Sequence, residues 1–161
     1  MMNSMIKENG VTFKDLEKNI YAWVCQIGRQ FTQEFLERYD WLLMEGRDRK
    51  KYRNKGVRQT TVKTVYGEVT YRRTVYETVE EDGTRRFVYL LDETLELANV
   101  GLISSNMAEL LVKGITELSY RECAAKVSEM TGQTISTMGV WNVIQALGEQ
   151  VCEEEKELAE E

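Results

Sequence analysis

The sequence of 161 residues contains neither histidine nor proline. Without histidine the chain has no imidazole for acid–base catalysis, for a Ser-His-Asp triad or for metal coordination. Without proline it has no proline-rich linker. Its three cysteines, Cys25, Cys123 and Cys152, are far apart and lack C-x-x-C spacing. This pattern argues against a zinc ribbon and a disulfide scaffold, and predicts buried or half-buried thiols in a reducing cytoplasm.

Segments that direct a chain to a membrane are also missing. No run of about 18 apolar residues is present, which argues against a transmembrane helix. Residues 1–8 lack the apolar core of a secretory signal, so we expect a cytoplasmic protein without a membrane partner. The length suits one domain or two small ones. A hydrophobic content of 42% with 30% charged residues is typical of a folded chain.

Charge is distributed unevenly along the chain, although the net charge is only −6. Residues 149–161 hold seven acids and one base, whereas residues 47–58, here called the basic segment, hold seven bases and one acid. The seven bases are Arg47, Arg49, Lys50, Lys51, Arg53, Lys55 and Arg58. Most charge runs are solvated loops. This one favours a polyanion because Tyr52, Asn54 and Gly56 can also stack on, hydrogen-bond to or closely approach a phosphodiester backbone.

A long helix is predicted near the N-terminus. Thr12 and Asp15 form an acidic variant of the capping box, and apolar residues then recur at intervals of three and four as far as about Met44. Roughly 30 residues span about 50 Å, more than a small domain needs. We interpret the stripe mostly as a core face, and a homodimer contact between two such helices is the alternative. Its residues are Phe13, Leu16, Ile20, Trp23, Ile27, Phe31, Phe35, Tyr39 and Leu42.

Residues 59–91 change to a period of two and are rich in β-branched residues, as in strands. Tyr66-Gly67 and Asp82-Gly83 provide two turns, and the second is typical of a hairpin. The pattern predicts a three-stranded antiparallel meander with its third strand at residues 85–91, packed against the long helix. Six basic residues can line its exposed face, either as ordinary surface residues or as a row that follows phosphates. They are Arg58, Lys63, Arg72, Arg73, Arg85 and Arg86.

Three helices are predicted after a connector at residues 92–105, which itself has short helical potential at residues 93–98. The first covers residues 106–117. The second begins at a full S-x-x-E capping box, residues 119–122, and ends at Gly132. Its expected core residues are Ala124 and Val127, with Cys123 or Met130. The third begins after Ser136, and its inner stripe is Val140, Val143, Ile144, Leu147 and Val151.

The last two helices have the layout of a helix-turn-helix, whose second helix reads the DNA major groove. On a helical wheel, Asn142 and Gln145 face outward and can pair with adenine edges. Met138 and Trp141 can contact thymine methyl groups or sugars, while Ser136 and Thr137 at the helix N-terminus can meet phosphate. The same spacing allows a plain three-helix bundle with Trp141 at a protein interface, because residues 136–148 carry no Lys or Arg.

Longer strings resemble a known family. Residues 56–76, GVRQTTVKTVYGEVTYRRTVY, resemble the β-hairpin region near the N-terminus of many bacterial insertion-sequence transposases. Residues 89–93 (YLLDE), 117–124 (ELSYRECA) and 131–136 (TGQTIS) resemble their helix-turn-helix. From about residue 7 onward, the chain resembles the ISLre (type two) transposase family, which is also known as an uncharacterised protein family.

The resemblance implies the DNA-binding N-terminal part of a DDE-type transposase that recognises double-stranded DNA at transposon ends. In that family a ribonuclease-H-like domain follows, in which three acids hold two divalent metal ions such as Mg²⁺. We expect that domain beyond residue 161 and assign no catalytic residue, metal or cofactor here. A DDE triad comes from strands and a helix of another fold, which the acids of residues 153–161 do not provide. No cysteine lies within residues 56–91, so the zinc ribbon of related transposases is not implied.

The sequence therefore predicts an α+β fold. Residues 1–100 would form a long helix packed on a three-stranded antiparallel meander, residues 101–150 a three-helix helix-turn-helix module, and residues 151–161 an acidic helix end or linker. The basic segment would position phosphates while the third helix of the module reads a groove. Two alternatives remain: an oligomerisation module without DNA affinity, and an enzyme in its own right. The enzyme has little support, because no nucleophile–base pair or metal cluster is present.

Overall fold

The computed structural model describes residues 12–80, 82–97 and 103–160. It has the predicted α+β architecture, in which a long helix and an antiparallel sheet of order β1-β2-β3 are followed by several helices. The elements are α1 (Phe13–Gly46), β1 (Arg53–Thr64), β2 (Gly67–Val79), β3 (Arg85–Val88), α2 (Leu90–Leu95), α3 (Ser105–Glu117), α4 (Tyr120–Thr131) and α5 (Thr137–Glu160).

Helix α1 begins as predicted. The Asp15 amide donates to the Thr12 hydroxyl at 3.3 Å, and the Thr12 amide donates to the Asp15 carboxylate at 3.2 Å. These reciprocal bonds form the capping box and satisfy amides that a helix start leaves unpaired.

The face that α1 packs on the sheet is not the predicted one. Of the nine stripe residues, only Tyr39 is half-buried, and the other eight are exposed. The contacts with the sheet come instead from Leu36, which joins the core beneath the helix, and from the smaller or polar Gly28, Thr32 and Asp40. The interpretation of the stripe as a core face was wrong, since periodicity identifies an apolar stripe but not what covers it.

The sheet departs from the prediction at two ends. β1 begins at Arg53, so the second half of the basic segment is strand rather than loop. β3 ends at Val88, and α2 starts at Leu90, where a strand had been expected to continue. The helical turn lets Leu91 and Asp92 both point inward, which a strand's alternating side chains would not allow. The helix predicted at residues 93–98 ends at residue 98, which lies outside the described ranges.

Helices α3, α4 and α5 share one core, to which Leu111, Cys123 and Val140 each contribute a fully buried side chain. The predicted capping box of α4 is present, and α4 ends at Gly132, whose φ of 64° is the left-handed conformation of a helix C-cap. Of the two alternatives Cys123 and Met130, Cys123 is the one in the core and Met130 is exposed. Val151, expected in the inner stripe of α5, is exposed. α5 simply runs past the packed region before it reaches Val151.

This helical module rests on the turn between β1 and β2. The Gln133 side-chain amide donates to the Thr64 carbonyl at 2.6 Å, and the Lys63 ammonium donates to the Thr134 carbonyl at 2.6 Å. Ile103 also forms a parallel bridge with Lys63. These bonds fix the position of the module at one end of the hairpin.

Among the described helices, none has both the length and the apolar character needed to cross a bilayer.

Candidate nucleic-acid interface

The turn between α4 and α5 is held by a side chain. The amide of Ile135 donates to the hydroxyl of Ser128 at 2.9 Å, and that hydroxyl lies 3.2 Å from the Ile135 carbonyl. Ser136 then caps α5, because its hydroxyl accepts from the Gly139 amide at 2.9 Å. The predicted cap is confirmed, and the start of α5 is positioned by bonds within the module.

The outward side of α5 agrees with the helical wheel. Val140 and Val143 are buried, whereas all six candidate residues are exposed to solvent. These six are Ser136, Thr137, Met138, Trp141, Asn142 and Gln145. Hydroxyl, amide and large apolar groups therefore share one accessible surface, as direct readout of base edges requires.

The start of α4 adds to this surface. Tyr120 lines, with Thr137, Met138 and Trp141, an open groove of about 420 Å³. Arg121 follows Tyr120 in the first turn of α4 and is exposed. Neither residue was predicted, because the candidate residues follow from the helical period of α5 alone. The capping box marks the start of α4 and was the available signal for these two residues. The first helix of a helix-turn-helix crosses the DNA backbone, so its first turn is a candidate contact.

The loop that opens the basic segment is organised by Asp48. Its carboxylate accepts from the amides of Lys50 and Lys51 at 2.9 and 3.4 Å, which turns the chain and leaves the side chains outside. Five bases of the segment are exposed and form no ion pair with any residue the structure describes. They are Arg49, Lys50, Lys51, Arg53 and Arg58.

The other two bases of the segment are engaged in the fold. Arg47 is half-buried, donates to the carbonyls of Met44 and Tyr52, and lies 5.4 Å from the ring centre of Tyr76. It therefore closes the end of α1 and is not free for a phosphate. Lys55 lies 2.7 Å from a carboxylate oxygen of Glu77 on β2, and this hydrogen bond lowers the pKa of Glu77.

Of the six bases expected to line the exposed face of the sheet, Arg58, Arg72, Arg85 and Arg86 are exposed. Arg73 is not on an exposed face: it is largely buried, pairs with Asp92 and stacks 3.8 Å from the ring centre of Tyr89. Of the six bases, only Arg58 lacks an ion pair within the described ranges. The other pairs are Arg72–Glu37 at 3.5 Å, Lys63–Glu68 at 3.1 Å, Arg86–Glu80 at 3.4 Å and Arg85–Glu77 at 4.0 Å.

The basic loop and the helix-turn-helix lie at opposite ends of the hairpin. The loop precedes the first residue of β1, and the module docks where β1 ends. Twelve strand residues at about 3.3 Å each span about 40 Å. The structure therefore brings Ser136 and the five candidate residues of α5 together, and places the basic loop apart from them.

The cysteines differ from one another. Cys25 is half-buried and Cys123 is buried, as expected, but Cys152 is exposed on the part of α5 beyond the core. Burial raises the pKa of the Cys123 thiol. Across the described parts of the chain, no three His, Cys, Asp or Glu side chains converge as metal ligands would.

The pattern of UPF0236, an uncharacterised protein family, matches residues 6–161. The chain belongs to this family. One UPF0236 protein of Caldanaerobacter subterraneus subsp. tengcongensis is 30% identical over 92% of this chain, and its name combines eleven locus designations. Another from the same organism is 29% identical over 87% of the chain. The chain spans less than a third of either relative, 31% and 29%. No solved structure gives a significant match.

Proposed function

We propose that this UPF0236 chain is the DNA-binding N-terminal part of a DDE-type insertion-sequence transposase and recognises transposon-end DNA. The observation that carries the proposal is the outward surface of α5, where Met138, Trp141 and Asn142 are exposed at the start of a helix that is capped and preceded by a hydrogen-bonded turn. Such a surface fits the major groove, where base edges differ in their donors, acceptors and methyl groups.

Each group has a role in this proposal. The side-chain amides of Asn142 and Gln145 bond adenine edges, and Met138 and Trp141 contact thymine methyl groups. Ser136 and the N-terminus of α5 meet one phosphate. Arg121 at the start of α4 supplies the positive charge that residues 136–148 lack and holds the neighbouring strand.

The basic loop supports a second contact on the same duplex. Its distance from the module, about 40 Å along β1, is close to one turn of B-DNA at about 34–36 Å. A duplex lying along the hairpin would meet α5 at one turn and the exposed Arg49, Lys50 and Lys51 about one turn away. The engaged Arg47 and Lys55 take no part.

The relatives support the mobile-element part of the proposal. One protein encoded at many positions of a genome is typical of an element that copies itself, and the name of one relative combines eleven locus designations. The relatives are also long enough to hold a further domain, since this chain spans less than a third of them. The proposal assigns the acidic triad and its divalent metal ions to that further part.

The test is a salt titration of DNA binding by fluorescence anisotropy, with 30-base-pair duplexes of random sequence and duplexes selected from a random pool. Lys50→Ala with Lys51→Ala should weaken binding to every duplex and flatten the slope of log K against log salt by about 2. Asn142→Ala should reduce the preference for selected duplexes about tenfold or more and leave that slope unchanged.

The matched control is Lys14→Ala with Lys18→Ala, which removes the same charge from exposed positions on α1. This control should leave the slope close to that of the parent chain. The absence of any DNA affinity at about 50 mM salt would end the proposal.

A further inference from the structure

One side of α1 is apolar and uncovered. Its residues, here called the outer face of α1, are exposed between 37% and 78%. They are Phe13, Leu16, Ile20, Trp23, Val24, Ile27 and Phe31. Monomeric proteins rarely leave so many large apolar side chains together in water, and such a patch marks an interaction surface.

The outer face is not an unused part of the sheet contact. At 100° per residue, it is centred opposite Leu36 and Asp40, the residues through which α1 packs on the sheet. The described hydrogen bonds between α1 and the sheet all lie at Arg29 or beyond it. The sheet therefore occupies one side of the second half of the helix, and the outer face is exposed over the first half.

The outer face also has the composition of a helix–helix seam. Phe13, Leu16, Ile20, Trp23 and Ile27 follow one another at intervals of three, four, three and four, which is the heptad spacing of a coiled coil. From Phe13 to Phe31, the 120° sector centred on this face carries no charged residue. A seam of this kind is complementary to a second copy of itself, as a two-fold interface requires.

We propose that the outer face of α1 pairs with the same face of a second copy of this chain, which makes the protein a homodimer joined through α1. The two sheets then lie on opposite outer sides of the helix pair, because each sheet packs on the reverse side of its own helix. The pairing covers apolar surface that the fold of one chain leaves in water.

The available area suits a stable dimer. Phe13, Trp23 and Phe31 are 78%, 58% and 70% exposed. At about 200 Å² for each aromatic residue, these three alone present roughly 400 Å². The four aliphatic residues enlarge the face toward the roughly 800 Å² per partner of a standard interface. From Phe13 to Phe31, the seam is about 27 Å long.

The dimer does not depend on DNA binding, and it is measured without DNA. Sedimentation equilibrium of the whole chain should give twice the chain mass of 18.7 kDa at micromolar concentration. Ile20→Glu with Ile27→Glu should give a single chain, since two charges per copy would face each other across the seam. Both positions are exposed in the single chain, so the circular dichroism of the single-chain form should retain its helical signal.

The matched control is Val151→Glu with Leu158→Glu, which adds the same charges at exposed apolar positions of α5. This control should remain a dimer. A single-chain mass for the parent at about 100 µM, or a dimer that survives Ile20→Glu with Ile27→Glu, would overturn the proposal. The first result would show that the outer face does not join two copies, and the second that another surface does.

Discussion

The carboxylate of Asp40 on α1 binds Thr74 on the central strand β2 at two points. Both of its oxygens lie 3.0–3.1 Å from the Thr74 amide nitrogen, and one also accepts from the Thr74 hydroxyl at 2.6 Å. Both residues are buried. The register between β1 and β2 shifts between Asn54 and Val57, beside this point, so α1 is anchored where the strand ladder is irregular.

Removing this carboxylate should destabilise the fold. Asp40→Ala leaves the buried amide and hydroxyl of Thr74 without an acceptor, at a cost of about 1–3 kcal/mol in the free energy of unfolding. Urea denaturation followed by circular dichroism measures it. Glu34→Ala, which removes an exposed acid from the same helix, is the control and should change stability by less than about 0.5 kcal/mol. Equal losses in the two variants would contradict the prediction.

The contact of α3 with α4 is close at Gly114. A Cβ added there would lie 2.6 Å from the Cys123 sulfur, so Gly114→Ala should cost about 1–3 kcal/mol through overpacking. Adding Cys123→Ala should restore part of that loss, because it removes the clashing atom. The control is Gly148→Ala on α5, where nothing lies near the new methyl group, and it should be neutral or stabilising by about 1 kcal/mol. If the changes in the free energy of unfolding caused by Gly114→Ala and Cys123→Ala simply add in the double variant, the two residues do not pack as described.

The capping box of α4 should make stability depend on pH. Hydrogen bonds from the Ser119 hydroxyl and amide hold the pKa of Glu122 below its ordinary value of 4.5. A lowered pKa in the folded state means that the stabilisation is present above about pH 5 and is lost as the pH falls through 4.5 and lower.

Thermal unfolding between pH 3 and pH 7 measures this effect. The parent should exceed Glu122→Gln in stability near neutral pH, and the two curves should converge as the pH falls. Ser119→Ala removes the partner and should also flatten the curve. Parallel curves for the parent and Glu122→Gln across the range would show that the capping box makes no such contribution.

The three thiols should react at different rates. Cys152 is exposed, whereas Cys123 is buried and its raised pKa leaves less thiolate at pH 8. With a disulfide reagent, Cys152 should react first and Cys123 only on the timescale of unfolding. The fast phase of the reaction with the reagent should disappear in Cys152→Ser, which assigns that phase to Cys152. A Cys123 thiol that reacts as fast as the denatured protein would mean that α3 and α4 do not pack as described.

Local signals in the sequence predicted much of the fold. The capping boxes at Thr12 and Ser119 and the glycine that ends α4 each depend on a few neighbouring residues, and the structure has all three. The turn predicted at Tyr66-Gly67 lies one residue earlier, at Val65-Tyr66, and Gly67 begins β2. The side of α1 that meets the sheet was not predictable in this way. It is built from Thr32 and Asp40, whose partners lie more than 30 residues along the chain.

The same distinction between local and distant contacts applies to the candidate site. The exposure of Met138, Asn142 and Gln145 follows from the helical period, because Val140 and Val143 fix which side of α5 is buried. The roles of Arg47 and Arg73 do not follow from it. Both are held by aromatic rings and polar groups that strand pairing and helix packing bring near them, and the sequence alone does not give those neighbours.

Because Gln133 bonds the Thr64 carbonyl, the length of the β1–β2 hairpin determines the distance between the groups at its two ends. The loop with Lys50 lies at one end of the hairpin, and the module that contains α5 lies at the other end. Adding two residues to each strand preserves the alternation of side chains and lengthens the hairpin by about 7 Å. This is close to two base-pair steps of about 3.4 Å each. Under the proposed binding to DNA, the length of these strands would set the spacing between the two contacts on the duplex.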